Sequence, residues 1–260
     1  MNNYISSCHV VSHHPGEYIS HGLGRAISLD TVRASAMLDP RGFPTVKVDL
    51  ELDDGTIPTG SAPAGASTGR HEAVELRGGG SAFGGNGVER ALRGIRDEIM
   101  PLLLKRSWPS ISEVDRALSD LDGTGTFARL GTNAVLAVSM ATARVFAANE
   151  ELPLHRWISH VTGRAERLPV PYFAPLNGGA HASNALDFQE FMIVPLIATT
   201  EAETVRIGAN VPHALKKIVN TIHGPAGLGD GGDFAPPVAS AEAALDLPVE
   251  AIQAAGYPRC

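Results

Sequence analysis

The sequence predicts an α+β domain followed by a shorter region that combines strands and helices. Residues 45–52 alternate apolar and polar side chains, as a strand does when it buries one face, and helical patterns then continue to about residue 160. Strand-like runs return after Leu168. Strands followed by a block of helices are typical of an α+β domain, and a length of 260 residues leaves room for a second domain.

The first domain is predicted to occupy residues 25–160. After the strand at residues 45–52, the sequence Asp53-Asp54-Gly55 predicts a tight turn, and residues 56–64 predict the returning strand. Three helical patterns follow, and the third is apolar nearly all round, which predicts a helix buried between other elements: residues 88–104, 112–121 and 133–149.

Residues 165–260 are predicted to form a second domain of two strands and two helices, at residues 170–174, 188–196, 200–222 and 240–255. Thr200 and Glu203 have the spacing of a capping box, which predicts that the first helix begins there. Pro212 and Pro248 lie inside the two helical patterns. Each is expected to cost about 3 kcal/mol or to kink or break its helix.

The charge and cysteine content exclude several classes of protein. The net charge is −7 without a basic block, so neither nucleic acid nor an anionic membrane is an expected partner. No run approaches the ~18–20 apolar residues of a membrane span. Cys8 and Cys260 form no disulfide framework, and residues 1–24 are predicted to be a disordered tail rather than a signal peptide. A cytoplasmic protein is expected.

One polar segment at the mouth of a predicted strand is a candidate functional site. Within residues 177–195, His181, Gln189 and Glu190 offer an imidazole, an amide and a carboxylate just before an apolar run. A single histidine is more often structural. Strict alternation would send Gln189 and Glu190 to opposite faces, so both serve one site only if the strand ends or bulges there.

Several separate motifs resemble those of the enolase family. They are L-D-P-R-G-F-P-T-V at residues 38–46, G-A-S-T-G at 65–69, N-G-G-A-H and Q-E-F-M within 177–192, and A-A-G-Y at 254–257. The similarity extends over about residues 27–257. It implies an α+β cap domain of the enolase N-terminal type, followed by an α/β barrel.

The resemblance also implies a function and roles for particular residues. The family reaction, a step of glycolysis, dehydrates 2-phosphoglycerate to phosphoenolpyruvate with Mg²⁺. Ser67 would ligate a second Mg²⁺ from a mobile loop and contact the substrate. His181, Gln189 and Glu190 would bind this small phosphorylated carboxylate, and His181 and Glu190 would also act in catalysis. A homodimer is possible, because family members are commonly dimers.

Two departures from the family pattern change what is expected. The family's G-D-E-G-G-F-A-P corresponds to residues 229–236, where Gly231 replaces the glutamate that helps the hydroxyl to leave. Asp233 is the candidate for a displaced catalytic carboxylate. In addition, a closed barrel takes ~250 residues. The second domain is therefore expected to be an incomplete, C-terminally truncated barrel with open edges and exposed apolar surface.

Three functions remain open from the sequence. The first is an enolase-type lyase acting on 2-phosphoglycerate. The second is a diverged paralogue that acts on a phosphonate or carboxy-phospho analogue in specialised metabolism, which the change at Gly231 and Asp233 prompts. The third is a non-catalytic truncated remnant. The motifs favour the first. In the family, the lysine base and the metal carboxylates come from later barrel strands, and none of them is visible in this sequence. Their absence favours the third function for the isolated chain.

Overall fold

The chain forms two compact units in the computed structural model, which describes residues 26–65, 68–78, 80–225, 227–229 and 231–258. Unit 1 contains Pro44–Ala62, Ala73–Glu166 and the described residues that precede Leu38. Unit 2 contains Leu38–Phe43, Pro63–Glu72 and the residues from Arg167 on. The predicted tail at residues 1–24 lies outside the described residues.

Unit 1 combines a three-stranded sheet, in the order β1–β2–β3, with helices. The elements are β1 (Thr31–Leu38), β2 (Pro44–Glu51), β3 (Thr59–Ala62), α1 (Glu89–Gly94), α2 (Met100–Leu104), α3 (Ile111–Asp122), α4 (Thr132–Asn149) and α5 (Leu154–Thr162). β2 and β3 pair in antiparallel register, so the predicted hairpin is confirmed. β1 has no counterpart in the sequence prediction, because Val32 is its single fully buried residue and no alternation results.

The helix α4 packs against β2 and β3 in the core of unit 1. Its buried residues lie on nearly every side, which confirms the helix predicted from a sequence that is apolar all round. Gly60 in β3 makes the close packing possible. A Cβ at Gly60 would lie 2.5 Å from the backbone nitrogen of Ala141 and would overlap the carbonyl oxygen of Ala137.

The helix predicted at residues 88–104 contains one wider turn. A π-helical turn at Ile95–Ile99 separates α1 from α2. Pro101 follows this turn and has no N–H to donate, and its ring would clash with the carbonyl of the residue four positions earlier. The wider turn removes that clash, which gives a local reason for it.

Unit 2 contains a four-stranded sheet, in the strand order β5–β4–β7–β6, and two helices. The elements are β4 (Phe173–Asn177), β5 (Glu190–Ile193), α6 (Glu201–His223), β6 (Gly227–Leu228), β7 (Phe234–Ala235) and α7 (Ala241–Ala254). Two strands were expected from the sequence. That expectation was wrong in number, because β6 and β7 have two residues each and are too short for any periodicity to show.

Both helices of unit 2 are continuous through their prolines. The helix α6 begins at a capping box, in which the Thr200 hydroxyl accepts a hydrogen bond from the Glu203 N–H at 3.2 Å. Pro212 in α6 and Pro248 in α7 lie inside helices without a break. The two helices pack together and against the sheet. Packing therefore offsets the cost that the prolines were expected to impose.

Candidate active site

The ends of β4 and β5 bring two polar residues together. Asn177 is the last residue of β4, Glu190 is the first residue of β5, and the two are partners in the antiparallel register. Gln189 lies directly before the strand, and both Gln189 and Glu190 are exposed. The strand β5 begins at Glu190, so Gln189 lies outside it, which meets the condition that the strand ends between the two residues.

A tight turn after β4 positions His181. The residues Gly179–His181 form a 3₁₀ turn, and the Gly178 N–H donates a hydrogen bond to the Gln189 carbonyl at 3.0 Å. A Cβ on Gly178 would lie 2.5 Å from both the Leu186 Cβ and the Phe188 carbonyl oxygen. Only glycine fits at this point, so the Asn-Gly-Gly sequence is what allows the chain to fold back over the end of the strand.

Asp233 reaches the same place from the loop before β7. This strand runs parallel to β4, with Phe234 opposite Leu176. The side chain of Asn177 donates a hydrogen bond from Nδ2 to Asp233 Oδ2 at 2.6 Å. A Cβ on Gly231 would lie 2.6 Å from that same oxygen. The carboxyl group of Asp233 therefore occupies space that a side chain at position 231 would need.

The surroundings of Asp233 favour its protonated form. Burial raises the pKa of Asp233 above its ordinary value, and the negative charge of Glu190 raises it further. A backbone hydrogen bond and the charge of His181 act in the opposite direction without reversing the shift. A carboxyl group with a raised pKa can hold a proton and donate it, which is the property of a general acid.

Two buried atoms of this cluster are unsatisfied. Within the described part of the chain, Asn177 Oδ1 and His181 Nε2 are buried and find no hydrogen-bond partner. Buried polar groups nearly always have a partner, so these atoms mark a place where a ligand or water can bind. Asn177 was missed as a site residue, although a polar side chain that ends a strand just before a glycine turn is a usable signal.

The predicted site residues are thus only partly brought together. His181, Glu190 and Asp233 are near enough to influence one another electrostatically, and Gln189 lies beside Glu190 in the sequence. Ser67, predicted to ligate metal and contact substrate, lies outside the described residues. We name Asn177, His181, Glu190 and Asp233 the unit 2 cluster.

Two family models match this chain. The model described as Enolase, N-terminal domain matches residues 29–158, and the model described as Enolase, C-terminal TIM barrel domain matches residues 165–259. The chain belongs to the enolase family. It is enolase-like and a lyase at the level of the superfamily. The open sheet of unit 2 is an incomplete version of the enolase TIM barrel, as the sequence predicted.

The enolase family generally uses Mg²⁺, and the described residues do not fit a complete site for it. Mg²⁺ requires near-octahedral coordination by oxygen. No group of three or more His, Cys, Asp or Glu side chains that could hold a metal is found in the part of the chain that the structure describes.

In the same residues, no helix combines the length and the apolar character needed to cross a membrane.

Proposed function

We propose that the unit 2 cluster binds a small phosphorylated hydroxycarboxylate of the 2-phosphoglycerate type and supplies the acid of an enolase-type elimination. In this proposal Asp233 gives its proton to the departing β-hydroxyl, which leaves as water. The observation that carries the proposal is the position of Asp233, where burial and Glu190 raise its pKa and Asn177 fixes its carboxyl group.

The other members of the cluster have complementary roles. Asn177 Oδ1 accepts a hydrogen bond from the ligand, and His181 Nε2 forms a second one, because both atoms are buried and otherwise unsatisfied. The charge of Glu190 adds to burial in raising the pKa of Asp233. Gln189, exposed beside Glu190, offers an amide for the phosphate or carboxylate group. Ser67 is proposed as a further ligand contact and metal ligand, as the family resemblance implies.

Binding and turnover are separate expectations for this chain. Elimination of water also transfers a proton from the α-carbon, a very weak acid, to a base; the cluster contains no lysine, so this proton would pass to solvent water, and the carbanion that forms needs positive charge nearby. Within the cluster, only His181 can become cationic. We therefore expect the purified chain to bind 2-phosphoglycerate and to turn it over slowly.

A pair of aspartate variants tests the proposal. Calorimetry measures the binding of 2-phosphoglycerate, and the absorbance of phosphoenolpyruvate measures its formation. Asp233→Asn keeps the shape of the side chain but cannot donate an acidic proton, so binding should persist while turnover falls roughly 10²–10⁴-fold. Asp246→Asn is the control, because Asp246 is an exposed aspartate of α7 in the same unit.

The outcomes separate the parts of the proposal. Equal turnover by the wild-type chain and Asp233→Asn would contradict the role of Asp233 as the acid. Absence of binding by the wild-type chain would contradict the whole assignment and favour a non-catalytic remnant.

A second candidate function is favoured by the position of the carboxylate. This chain has Gly231 where the family has glutamate, and it has Asp233 two positions later. A proton donor that has moved by two residues suits a leaving group at a different position, as in a phosphonate or carboxy-phospho analogue. Tighter binding of a three-carbon phosphonate than of 2-phosphoglycerate, lost in Asp233→Asn, would favour this candidate over the first.

A further inference from the structure

Unit 1 contains a cavity of about 300 Å³ that is unrelated to the unit 2 cluster. Arginines dominate its charged lining, which is formed by Arg90, Arg93, Arg129, Asp97 and Glu98. The chain as a whole has a net charge of −7, so an excess of positive groups in one concave place is a local exception. Such a place attracts anions against the overall charge of the protein.

The guanidinium of Arg129 is fixed in the wall of the cavity. Arg129 Nη1 donates to both carboxylate oxygens of Glu98, at 2.8 and 2.6 Å. Its Nε donates to the Asp122 carbonyl at 3.1 Å, and its Nη2 donates to the Leu121 carbonyl. Arg129 and Glu98 therefore compensate each other and form a rigid side of the cavity.

Arg90 and Arg93 differ from Arg129 because no described residue pairs with them. They lie three positions apart, in α1, and therefore share one face of the helix. Both side chains are exposed, and neither guanidinium has an ion pair or hydrogen bond with another residue in the described ranges. Two unpaired guanidinium groups on one face match the oxygens of a phosphate group, which arginine binds through paired N–H donors.

The remaining wall adds two further features. Leu76 and Leu130 line the cavity with apolar atoms, and both are buried. Asp97 lies in the π-helical turn Ile95–Ile99, a type of irregularity that often occurs at functional sites. The volume exceeds what a bare phosphate ion needs and falls at the lower end of small-molecule sites.

We propose that this cavity is a binding site for a small phosphate ester. Arg90 and Arg93 bind the phosphate group, and the short carbon chain of the ester contacts Leu76 and Leu130. Asp97 opposes the phosphate by charge repulsion and limits the affinity. The site belongs to unit 1 and is independent of the function proposed for unit 2.

Calorimetric titration of the 260-residue chain with glycerol 3-phosphate tests the proposal, with inorganic phosphate as the comparison. Arg90→Ala and Arg93→Ala should each weaken binding of the ester about tenfold or more, since each removes charge-assisted hydrogen bonds. Asp97→Asn should strengthen it, because it removes the repelling charge. Arg96→Ala is the matched control: Arg96 is an exposed arginine of the same helical segment that does not line the cavity.

Opposite shifts for the arginine and Asp97 variants, with Arg96→Ala unchanged, would support the site. Circular dichroism of each variant verifies folding, and these surface positions are expected to leave it intact. Failure of the wild-type chain to bind either probe would overturn the proposal. An equal loss in Arg96→Ala would overturn it too, because binding would then follow net charge alone. Equal affinity for phosphate and its ester would overturn the role of the leucines.

Discussion

Asp122 in unit 1 and Asp233 in unit 2 are both withdrawn from water, and their pKa values move in opposite directions. Asp122 is only 3% exposed, so burial alone would raise its pKa. Hydrogen bonds from the Thr124 hydroxyl and from the backbone N–H groups of Leu130, at 2.7 Å, and Thr124, at 3.1 Å, outweigh burial and lower it. Asp233 is partly buried, and burial is the main cause that raises its pKa, with the charge of Glu190 adding to the rise; a backbone hydrogen bond and the charge of His181 do not offset them.

The difference shows how each unit uses a carboxylate. In unit 1, N–H donors surround Asp122 and fix the loop that follows α3, so the charge supports the fold. In unit 2, burial and the charge of Glu190 raise the pKa of Asp233, a shift that is common at functional sites. Burial acts to raise both pKa values, and only at Asp122 do hydrogen-bond donors reverse the shift.

The two units also differ in how completely they bury their apolar residues. The core of unit 1 includes both tryptophans, Trp108 and Trp157, and the helix α4. Unit 2 has a smaller core and leaves large apolar side chains exposed, including Tyr172 at 66%, Phe188 at 64% and Leu196 at 70%. The expected exposed apolar surface is therefore found in unit 2 as described here, and stability is expected to come mainly from unit 1.

The largest expected effect comes from two matched leucines. Leu118 in unit 1 and Leu215 in unit 2 are both fully buried. Leu118→Ala should lower the free energy of unfolding of unit 1 by about 2–5 kcal/mol, because it removes buried methyl groups and leaves a cavity. Tryptophan fluorescence in a urea titration measures unit 1 selectively, since both tryptophans belong to it.

Leu215→Ala should leave that fluorescence transition in place and shift only the part of the circular dichroism signal that comes from unit 2. A shift of the fluorescence midpoint by Leu215→Ala as large as that caused by Leu118→Ala would break the comparison. The two units would then unfold as one cooperative body.

A smaller effect is expected from Asp122→Asn. The amide loses the charge that accepts hydrogen bonds from Thr124 and Leu130, which should cost roughly 1–3 kcal/mol at neutral pH by tryptophan fluorescence. The pKa of Asp122 is lowered in the folded chain from its ordinary value of 3.8. Its contribution to stability is therefore present above 3.8 and is lost as the pH falls through the lower folded-state pKa. The asparagine variant should lack this acid-side loss, and an unchanged acid profile would count against the role given to Asp122.

The smallest effect concerns Asp233, and its sign is reversed. Because its folded-state pKa is raised above 3.8, its contribution to stability is present below 3.8 and is lost as the pH rises through the folded-state pKa. Asp233→Asn should flatten the decline in the circular dichroism transition of unit 2 across that range. An NMR titration of the Asp233 carboxyl carbon gives a direct measurement, and a midpoint below 3.8 would contradict the proposed acid.

Much of the fold followed from the sequence where periodicity was strong. The hairpin of β2 and β3, the buried helix α4 and the capped start of α6 lie close to where the patterns predicted them. The strand β1 was missed because most of its residues are not buried, and β6 and β7 because two residues cannot show a period. The prolines of α6 and α7 misled the prediction, since tertiary packing offsets a local cost.

The candidate site was predicted in part. His181, Glu190 and Asp233 were identified from motifs, and the structure brings them within electrostatic range of one another. Asn177 was not identified, because its importance depends on a contact with Asp233 across 56 positions of sequence. The opposite pKa shifts of Asp122 and Asp233 could not be predicted from the sequence either. They depend on burial and on the hydrogen-bond donors and charges that the fold places near each carboxylate.

The packing of Gly231 against the Asp233 carboxyl group makes these two positions epistatic. A side chain introduced at position 231 would displace the Asp233 carboxyl group from its contact with Asn177. The effect of a substitution at one of the two positions therefore depends on the residue at the other.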